Sequence, residues 1–197
     1  MTHGNLQKYT NPNPLQQWLI RGFLETVAAL VRRTSARSVL DVGCAEGFVS
    51  HYLSRHLYGL NVIGVDLDVN ALARGRVLHP YFKTVTANAL ALPFPQQSVD
   101  LVLCTEVLEH IPYPERALDE LVRVTRAYLL LSVPWEPWFR LANLARGKNV
   151  ARFGDDPEHV NHWTGRAFRR FLRGRVQVIA QRVAFPWQIV LAKRREG

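Results

Sequence analysis

The sequence lacks the features of membrane-spanning and secreted proteins. It has no run of roughly 18 or more apolar residues, and Arg21 and Glu25 interrupt the first apolar region, so we expect no signal peptide. Only two cysteines occur, Cys44 and Cys104, and neither lies in a CxxC or metal-ligand spacing. We therefore expect reduced, buried thiols and a soluble, cytoplasmic protein.

Acidic residues are scarce relative to basic ones. The chain has 25 Lys and Arg against 16 Asp and Glu, a net charge of +9. Such a balance favours acidic partners, which include nucleic acid, anionic lipid headgroups and charged metabolites. The arginines are dispersed, however, so the charge does not choose among these partners and also agrees with an ordinary solvated basic surface.

Strand and helix patterns alternate along the chain. Asn13 and Pro14 form a good helix start, and the apolar residues that follow at helical spacing predict a helix packed on the core. Apolar runs rich in β-branched residues predict buried strands, with helices between them. The predicted strands are 38–42, 61–66, 81–87, 99–104, 127–133, 176–182 and 187–192, and the predicted helices after the first are 48–57, 69–78 and 114–124.

This order predicts an α/β fold with a Rossmann-like, seven-stranded, mostly parallel sheet and helices on both faces. The last two strands are separated only by Val183–Pro186, which is too short for a crossover helix. We therefore expect them to form a C-terminal antiparallel hairpin at the sheet edge. At 197 residues and 48% hydrophobic, the chain fits a single domain.

The turn after strand 38–42 has small residues at every second position, Gly43, Ala45 and Gly47. Small residues at the carboxyl end of a parallel strand let a ligand pack directly on the backbone. A dinucleotide fingerprint would need a small residue where Phe48 stands, and no phosphate loop with Gly-Lys-Ser or Gly-Lys-Thr is present. Asp66 ends the next predicted strand, where it would accept hydrogen bonds from a ribose diol. A nucleoside without a polyphosphate fits both observations.

Four ordered segments carry a family resemblance: "VLDVGCAEG", "GVDLD", "ANALALPFPQQSVDLVLCTEVLEHI" and "HVNHWT". Together they resemble the successive motifs of class I S-adenosylmethionine-dependent methyltransferases over residues 35–165. The stretch "LPFPQQSVDLV" with "EVLEH" is especially similar to the branch that methylates small molecules and quinones. The resemblance implies an enzyme that uses S-adenosylmethionine to methylate a small-molecule or lipid-like acceptor.

The resemblance also implies how a single domain, 1–197, is organised. Residues 35–133 would form the cofactor-binding core, and residues 134–163 a substrate-side insertion. Long insertions over the carboxyl ends of strands often carry function. Residues 1–34 would form an N-terminal lid and helix, and residues 164–197 a final helix and the hairpin.

On the cofactor side, the resemblance implies roles residue by residue. Asp41 would organise the turn, Asp66 would hold the ribose hydroxyls, and Leu67 would stack on adenine. Asn88 with Ala89 would meet the adenine edge. The residues implied to bind the cofactor are Asp41, Gly43, Cys44, Ala45, Gly47, Asp66, Leu67, Asn88, Ala89 and Thr105.

Two of these residues depart from the usual pattern of the family. Ala45 stands where most members have glycine, which adds a methyl group facing the cofactor. Asn88 replaces a common aspartate and keeps an amide oxygen for the adenine amino group. Asparagine also caps helices and turns well, so Asn88 has an alternative role in closing a short turn.

Two histidines are candidates for a general base, which is needed only if the acceptor carries a proton that must leave. His110 follows the fourth predicted strand on the cofactor side, and His159 follows the insertion. His159 and His162 have a spacing that suggests metal ligands, but no third ligand is apparent, so we expect no metal. Tyr9 precedes the first helix and would close over the cofactor as a lid. The candidate acceptor-side residues are Tyr9, Glu106, Trp135, His162 and Trp163.

The insertion carries the best clue to the class of acceptor. Its apolar residues Trp138, Leu141, Leu144 and Ala145 fall on one face of a predicted helix. Such a helix would be a lid over a large apolar acceptor, a membrane-surface contact that collects a lipid-like one, or simply a cover for the sheet.

Two rival functions are compatible with the same motifs. One is an RNA methyltransferase of the same fold, which the net positive charge favours. Base methylation is disfavoured, because "CTEVLEH" contains no Pro-Pro-aromatic motif and Cys104 does not follow a proline. The other rival is a non-catalytic relative of the same fold that binds a partner.

Overall fold

The computed structural model describes residues 4–195, and both ends of the predicted domain, residues 1–3 and 196–197, lie outside the described residues. Seven strands form one sheet in the order β3-β2-β1-β4-β5-β7-β6. The strands are β1 (Ser38–Val42), β2 (Asn61–Asp66), β3 (Lys83–Thr86), β4 (Val99–Thr105), β5 (Thr125–Pro134), β6 (Val176–Ala184) and β7 (Trp187–Arg194). The helices are α1 (Gly4–Thr10), α2 (Pro14–Val31), α3 (Phe48–His56), α4 (Val69–Leu78), α5 (Pro114–Val124), α6 (Trp138–Ala145) and α7 (Gly165–Leu172), with short 3-10 turns at Leu108–His110 and Val150–Arg152.

The predicted fold class is confirmed. The first five strands run parallel, and β7 pairs antiparallel with both β5 and β6. The C-terminal hairpin therefore forms the sheet edge, as expected. Strand order reverses at β1, which pairs with β2 on one side and with β4 on the other. In an open parallel sheet, the crevice beyond the carboxyl ends of such strands is the usual ligand site.

Alternate side chains of the central strands enter two cores, one on each face of the sheet. Val39, Leu101 and Leu103 face the core that α2 and α3 cover, whereas Leu40 and Val102 face the core that α5 and α7 cover. This alternation follows from the two-residue period of a strand. It explains why the strands read as continuous apolar runs in the sequence.

Helix α2 begins where the sequence predicts. The Asn13 side chain accepts hydrogen bonds from the backbone N–H groups of Leu15 and Gln16, and Pro14 occupies the first turn. Helix α1 was not predicted. Side-chain amides of α2 hold it in place, because Gln16 donates to the Lys8 carbonyl and Gln17 to the Tyr9 carbonyl.

The remaining differences concern element ends. Strand β3 begins at Lys83 rather than at residue 81, because its pairing with β2 begins there. Strand β5 extends from Thr125 to Pro134, beyond both predicted ends, because β7 pairs with it as far as Pro134. Within residues 4–195, every helix is too short or too polar to cross a membrane.

Candidate functional site

A cavity of about 620 Å³ lies beyond the carboxyl ends of β1, β2 and β4. Its volume falls in the ordinary range for small-molecule sites, roughly 300–1,000 Å³. Thirteen of the residues predicted from the sequence line it. They are Tyr9, Asp41, Gly43, Cys44, Ala45, Asp66, Leu67, Asn88, Ala89, Thr105, Glu106, His110 and His159.

The small-residue turn is held by the end of β2. The Gly43 and Cys44 N–H groups donate to the Val65 carbonyl at 2.7 and 3.1 Å, and the Ala45 N–H donates to Asp66 Oδ2 at 2.8 Å. Gly43, Ala45 and Gly47 all have positive φ. A left-handed conformation favours glycine, so backbone geometry already accounts for part of the pattern.

Protein side chains, rather than a ligand, fill the space above both glycines. A Cβ atom on Gly43 would lie 2.2 Å from Val107 Cγ2, and one on Gly47 would lie 2.2 Å from the Phe82 ring. Gly47 is also absent from the cavity wall. Gly43, Cys44 and Ala45 line the cavity, whereas Gly47 lies outside its wall and packs against the Phe82 ring.

Asp41 and Asp66 are the two acids at this end of the cavity. Asp41 is buried and accepts a 2.6 Å hydrogen bond from Ser50 Oγ on α3, and burial raises its pKa to about 6. The two oxygens of Asp66 accept from the Ala45 and Asp68 N–H groups, each at 2.8 Å. A carboxylate oxygen has two lone pairs, so each Asp66 oxygen can accept one further hydrogen bond. Asp66 thus shapes the turn and also has acceptor capacity for a diol.

The wall next to Asp66 suits a flat, apolar ring. The Leu67 side chain is 66% exposed, although leucine is ordinarily buried, and it faces the cavity. Asn88 lies on the same wall, and its Oδ1 accepts a 2.9 Å hydrogen bond from the Leu90 N–H. Asn88 therefore closes a turn, which was the alternative role that the sequence left open.

Charged groups gather at the opposite end of the cavity. Glu106, just past β4, has a φ of 60° and accepts a 3.0 Å hydrogen bond from Ser132 Oγ. Its second oxygen lies 4.0 Å from Lys8 Nζ, which stands 4.5 Å from the centroid of the Trp187 ring. Burial raises the pKa of Glu106 and lowers the pKa of Lys8, because each charge leaves water. Helix α1 therefore places a cation beside the predicted acceptor region.

The two candidate bases meet at the same end. The rings of His110 and His159 are 4.9 Å apart between centroids. His110 Nδ1 lies 3.0 Å from the Glu158 carbonyl oxygen, which can only accept, so this nitrogen carries a proton and donates it, and Nε2 is left without this contact. Burial is the main cause that lowers the pKa of His159 to about 4, and the neighbouring His110 is the second. The His159 imidazole is therefore neutral near pH 7.

Three predicted acceptor-side residues lie away from the cavity wall. His162 is occupied by Asp155, whose Oδ1 lies 2.7 Å from its Nε2. Trp163 is buried against Phe168 of α7 and belongs to the core. The Trp135 ring contacts the Trp138 ring, and the Trp135 backbone N–H donates to the Pro186 carbonyl. His162 and Trp163 differ from the prediction because the chain leaves the cavity wall after His159, and Trp135 differs because it packs beside the β6–β7 turn.

The insertion lines the cavity with the face of α6 that lies opposite its apolar stripe. Phe139 and Asn143 of α6, with Arg146 just beyond it, line the cavity. Trp138 and Leu141 point outward and are 45% and 49% exposed. The apolar stripe seen in the sequence is therefore the outer surface of the insertion rather than its inner one.

Sequence reasoning missed Lys8, Glu109 and Trp187 among the cavity residues. Lys8 is next to Tyr9 and Glu109 is next to His110. Because Tyr9 and His110 were predicted site residues, both omissions could have been found from their sequence neighbours. Trp187 had no such signal, because it begins a strand at the far end of the chain and reaches the cavity only through the pairing of β7 with β5.

Comparisons with known proteins agree with the geometry. Residues 40–128 match the family described as "Methyltransferase domain". A "Probable S-adenosylmethionine-dependent methyltransferase" of Mycobacterium tuberculosis (strain CDC 1551 / Oshkosh) is 38% identical over 53% of this chain and 37% of its own length. A "Ubiquinone biosynthesis O-methyltransferase" of Cupriavidus pinatubonensis (strain JMP 134 / LMG 1197) is 35% identical over 58% of this chain and 44% of its own. The chain spans about half or less of the length of the curated relatives it matches.

One solved structure shows the similarity over nearly the whole chain. Magnesium protoporphyrin IX methyltransferase from Synechocystis PCC 6803, solved with bound S-adenosylhomocysteine, superposes with a TM-score of 0.72. It covers 96% of this chain and 92% of its own, at 19% identity. At that identity the likeness concerns the fold.

Proposed function

Because this chain carries a class I S-adenosylmethionine-dependent methyltransferase domain, we propose that it transfers a methyl group from that cofactor to a small-molecule or lipid-like acceptor. The family and its cofactor, both predicted from the motifs, are confirmed. One observation carries the proposal: Asp66, Leu67 and the turn 43–45 share a wall of the cavity, whose other end holds Glu106 and His110.

The cofactor end of the cavity fits a nucleoside by its donor and acceptor chemistry. Asp66 has acceptor capacity left after its two backbone hydrogen bonds, and a ribose diol supplies two donors. Leu67 offers an exposed apolar surface for adenine. Gly43, Cys44 and Ala45 would lie against the methionine portion, with Asp41 supporting the turn from below through Ser50.

The acceptor is proposed to lie at the end lined by Glu106, His110 and His159. S-adenosylmethionine supplies the activated methyl group when bound, so the protein has to position the acceptor and exclude water. Lys8 of α1 lies at this end beside Glu106, whereas Tyr9 stacks on Phe48 at 4.6 Å, next to the turn 43–47. If the acceptor carries a proton, His110 Nε2 is placed to receive it, and His159 is available as a second neutral imidazole.

A lipid-like acceptor is supported by the outer surface of the insertion. Trp138, Leu141, Val150 and Phe153 are all 45% or more exposed, and the same insertion lines the cavity through Asn149 and Phe139. Exposed aromatic and aliphatic side chains with basic neighbours are typical of peripheral membrane contact. The name of the Cupriavidus relative, which refers to ubiquinone biosynthesis, agrees with an acceptor of this class.

The test is thermal unfolding with and without S-adenosylhomocysteine. A ligand at about 100 times its dissociation constant adds roughly 2.7 kcal/mol, which raises the midpoint by about 5–11 °C for a chain of this size. Acceptors are then screened with labelled cofactor, first hydroxylated quinones and lipids, then RNA. No shift at any concentration would refute the proposal, and methylation of RNA alone would replace the acceptor class.

A further inference from the structure

Glu109 is a buried acid that no residue in the described part of the chain satisfies. Its side chain is fully buried, and neither carboxylate oxygen has a hydrogen-bond partner there. An ionised carboxylate that is buried without a partner is costly. Such an unpartnered acid in a cavity wall calls for a positive partner.

Two imidazoles lie beside this carboxylate. One potential ligand atom from each of Glu109, His110 and His159 lies within 4.8 Å of the other two. One carboxylate and two histidines form the donor set of open zinc sites and of non-haem iron(II) sites. His159 is therefore joined by two ligands from a segment about 50 positions earlier, which is why the local spacing of His159 and His162 showed no third ligand.

Hydrogen bonds between two distant segments hold these three side chains together. The Glu109 carbonyl accepts hydrogen bonds from the Val160 and Asn161 N–H groups at 2.8 and 3.1 Å. The Asn161 side-chain amide donates to the Leu108 and Ile111 carbonyls. Four hydrogen bonds thus fasten the segment after His159 onto the turn that carries Glu109 and His110.

The hydrogen bond that His110 makes leaves its other ring nitrogen available to an ion. His110 donates its Nδ1 proton to the Glu158 carbonyl, an arrangement that orients the ring. His159 is buried and has a ligand atom within 4.8 Å of those of Glu109 and His110. By contrast, His162 is held by Asp155.

We propose that Glu109, His110 and His159 bind one divalent transition-metal ion, of the zinc or iron(II) type, at the acceptor end of the cavity. The three-ligand set leaves coordination positions open toward the cavity that these residues line. A bound cation also offsets the burial of Glu109. This proposal departs from the expectation of no metal, which was drawn from sequence spacing.

The role of the metal rests on the proposed function. A hydroxyl oxygen of the acceptor binds the ion and loses its proton to water, because a divalent cation lowers the pKa of a bound O–H group. A lone pair of that oxygen then forms the bond to the methyl carbon as the carbon–sulfur bond breaks, and the bonding pair stays on sulfur. The metal ion keeps its charge throughout. The histidines would then act as ligands rather than as bases.

Metal binding is measured directly on untagged protein dialysed against a chelator. Cobalt(II) is titrated in and followed by its visible absorption, and zinc is then added to displace it. We expect one equivalent to bind. In His159→Gln the affinity falls by more than about 100-fold, since even residues that only support ligands contribute about 10–100-fold. The matched control, His162→Gln, lies three positions away and retains wild-type binding.

Glu109→Gln is the second variant, because it removes the charge and keeps the shape. It is expected to lose cobalt affinity like His159→Gln. Binding of S-adenosylhomocysteine to every sample shows that the cofactor site is folded. Cofactor binding without stoichiometric cobalt binding, or cobalt binding unchanged in both variants, would overturn the metal site and leave the proposed function standing. Cobalt binding that needs Glu109 and His159, in a protein that does not bind S-adenosylhomocysteine, would support the metal site and refute the proposed function.

Discussion

Asp66→Asn separates the two tasks that the structure gives to one carboxylate. Asp66 Oδ1 accepts from the Asp68 N–H and Oδ2 from the Ala45 N–H. In the asparagine variant one oxygen becomes an NH₂ group, so one of these backbone donors loses its partner. An unsatisfied donor costs about 1–3 kcal/mol, and the lower part of that range applies because Asp66 is only partly buried. We expect a loss of about 1–2 kcal/mol, or about 2–8 °C in the unfolding midpoint.

The same substitution should also weaken binding of the cofactor. A hydrogen bond to a charged group contributes about 1 kcal/mol more than a neutral one. Two bonds from the ribose diol to Asp66 therefore lose about 2 kcal/mol, which weakens S-adenosylhomocysteine binding about 30-fold.

Isothermal titration with S-adenosylhomocysteine measures this loss, and Asp68→Asn is the matched control. Asp68 caps α4 through the Asn70 and Ala71 N–H groups and lies outside the cavity wall. Asparagine caps a helix as well as aspartate does, so the control removes the same charge two residues away with little other effect. Equal affinities in wild type and both variants would show that Asp66 holds no ribose.

Three further predictions concern stability and membrane contact. Ala45→Gly should raise the free energy of unfolding in urea by about 0.5–1 kcal/mol, because relief of a positive φ exceeds the entropy cost of glycine; a lower value would contradict this reading. Wild type should lose stability as pH rises from about 4 to about 7.5, because the folded-state pKa of Asp41 is raised to about 6 and the native protein gives up a proton in that window. The free energy of unfolding of Asp41→Asn should therefore rise by about 2–3 kcal/mol relative to that of wild type between pH 4 and pH 7.5. A pH-independent difference would refute the assignment. The double change Trp138→Ser and Leu141→Ser should weaken sedimentation with anionic vesicles at least about tenfold. Tyr81→Ser, at an even more exposed aromatic outside the insertion, should have no effect; equal losses would exclude the insertion as the contact.

Much of the candidate site was predictable because it lies at the ends of strands. The turn 43–47 and Asp66 immediately follow apolar runs, and the carboxyl ends of parallel strands share one edge of the sheet. Knowing the strands therefore places these residues near one another without further information. Trp163 shows the limit of this reasoning, because a buried aromatic of the core and an aromatic of the site look alike in a sequence.

The sequence by itself determined the order of helices and strands, the parallel sheet and the wall that Asp66 and Leu67 form. These features depend on local periodicity and on the residue types next to each strand end, which act over a few positions. Only the tertiary structure decided that Phe82 and Val107 fill the space above the turn glycines, that α1 brings Lys8 to Glu106, and that Asn161 fastens His159 beside Glu109 and His110. Contacts between distant segments depend on how whole elements pack, and no periodicity in the chain records that.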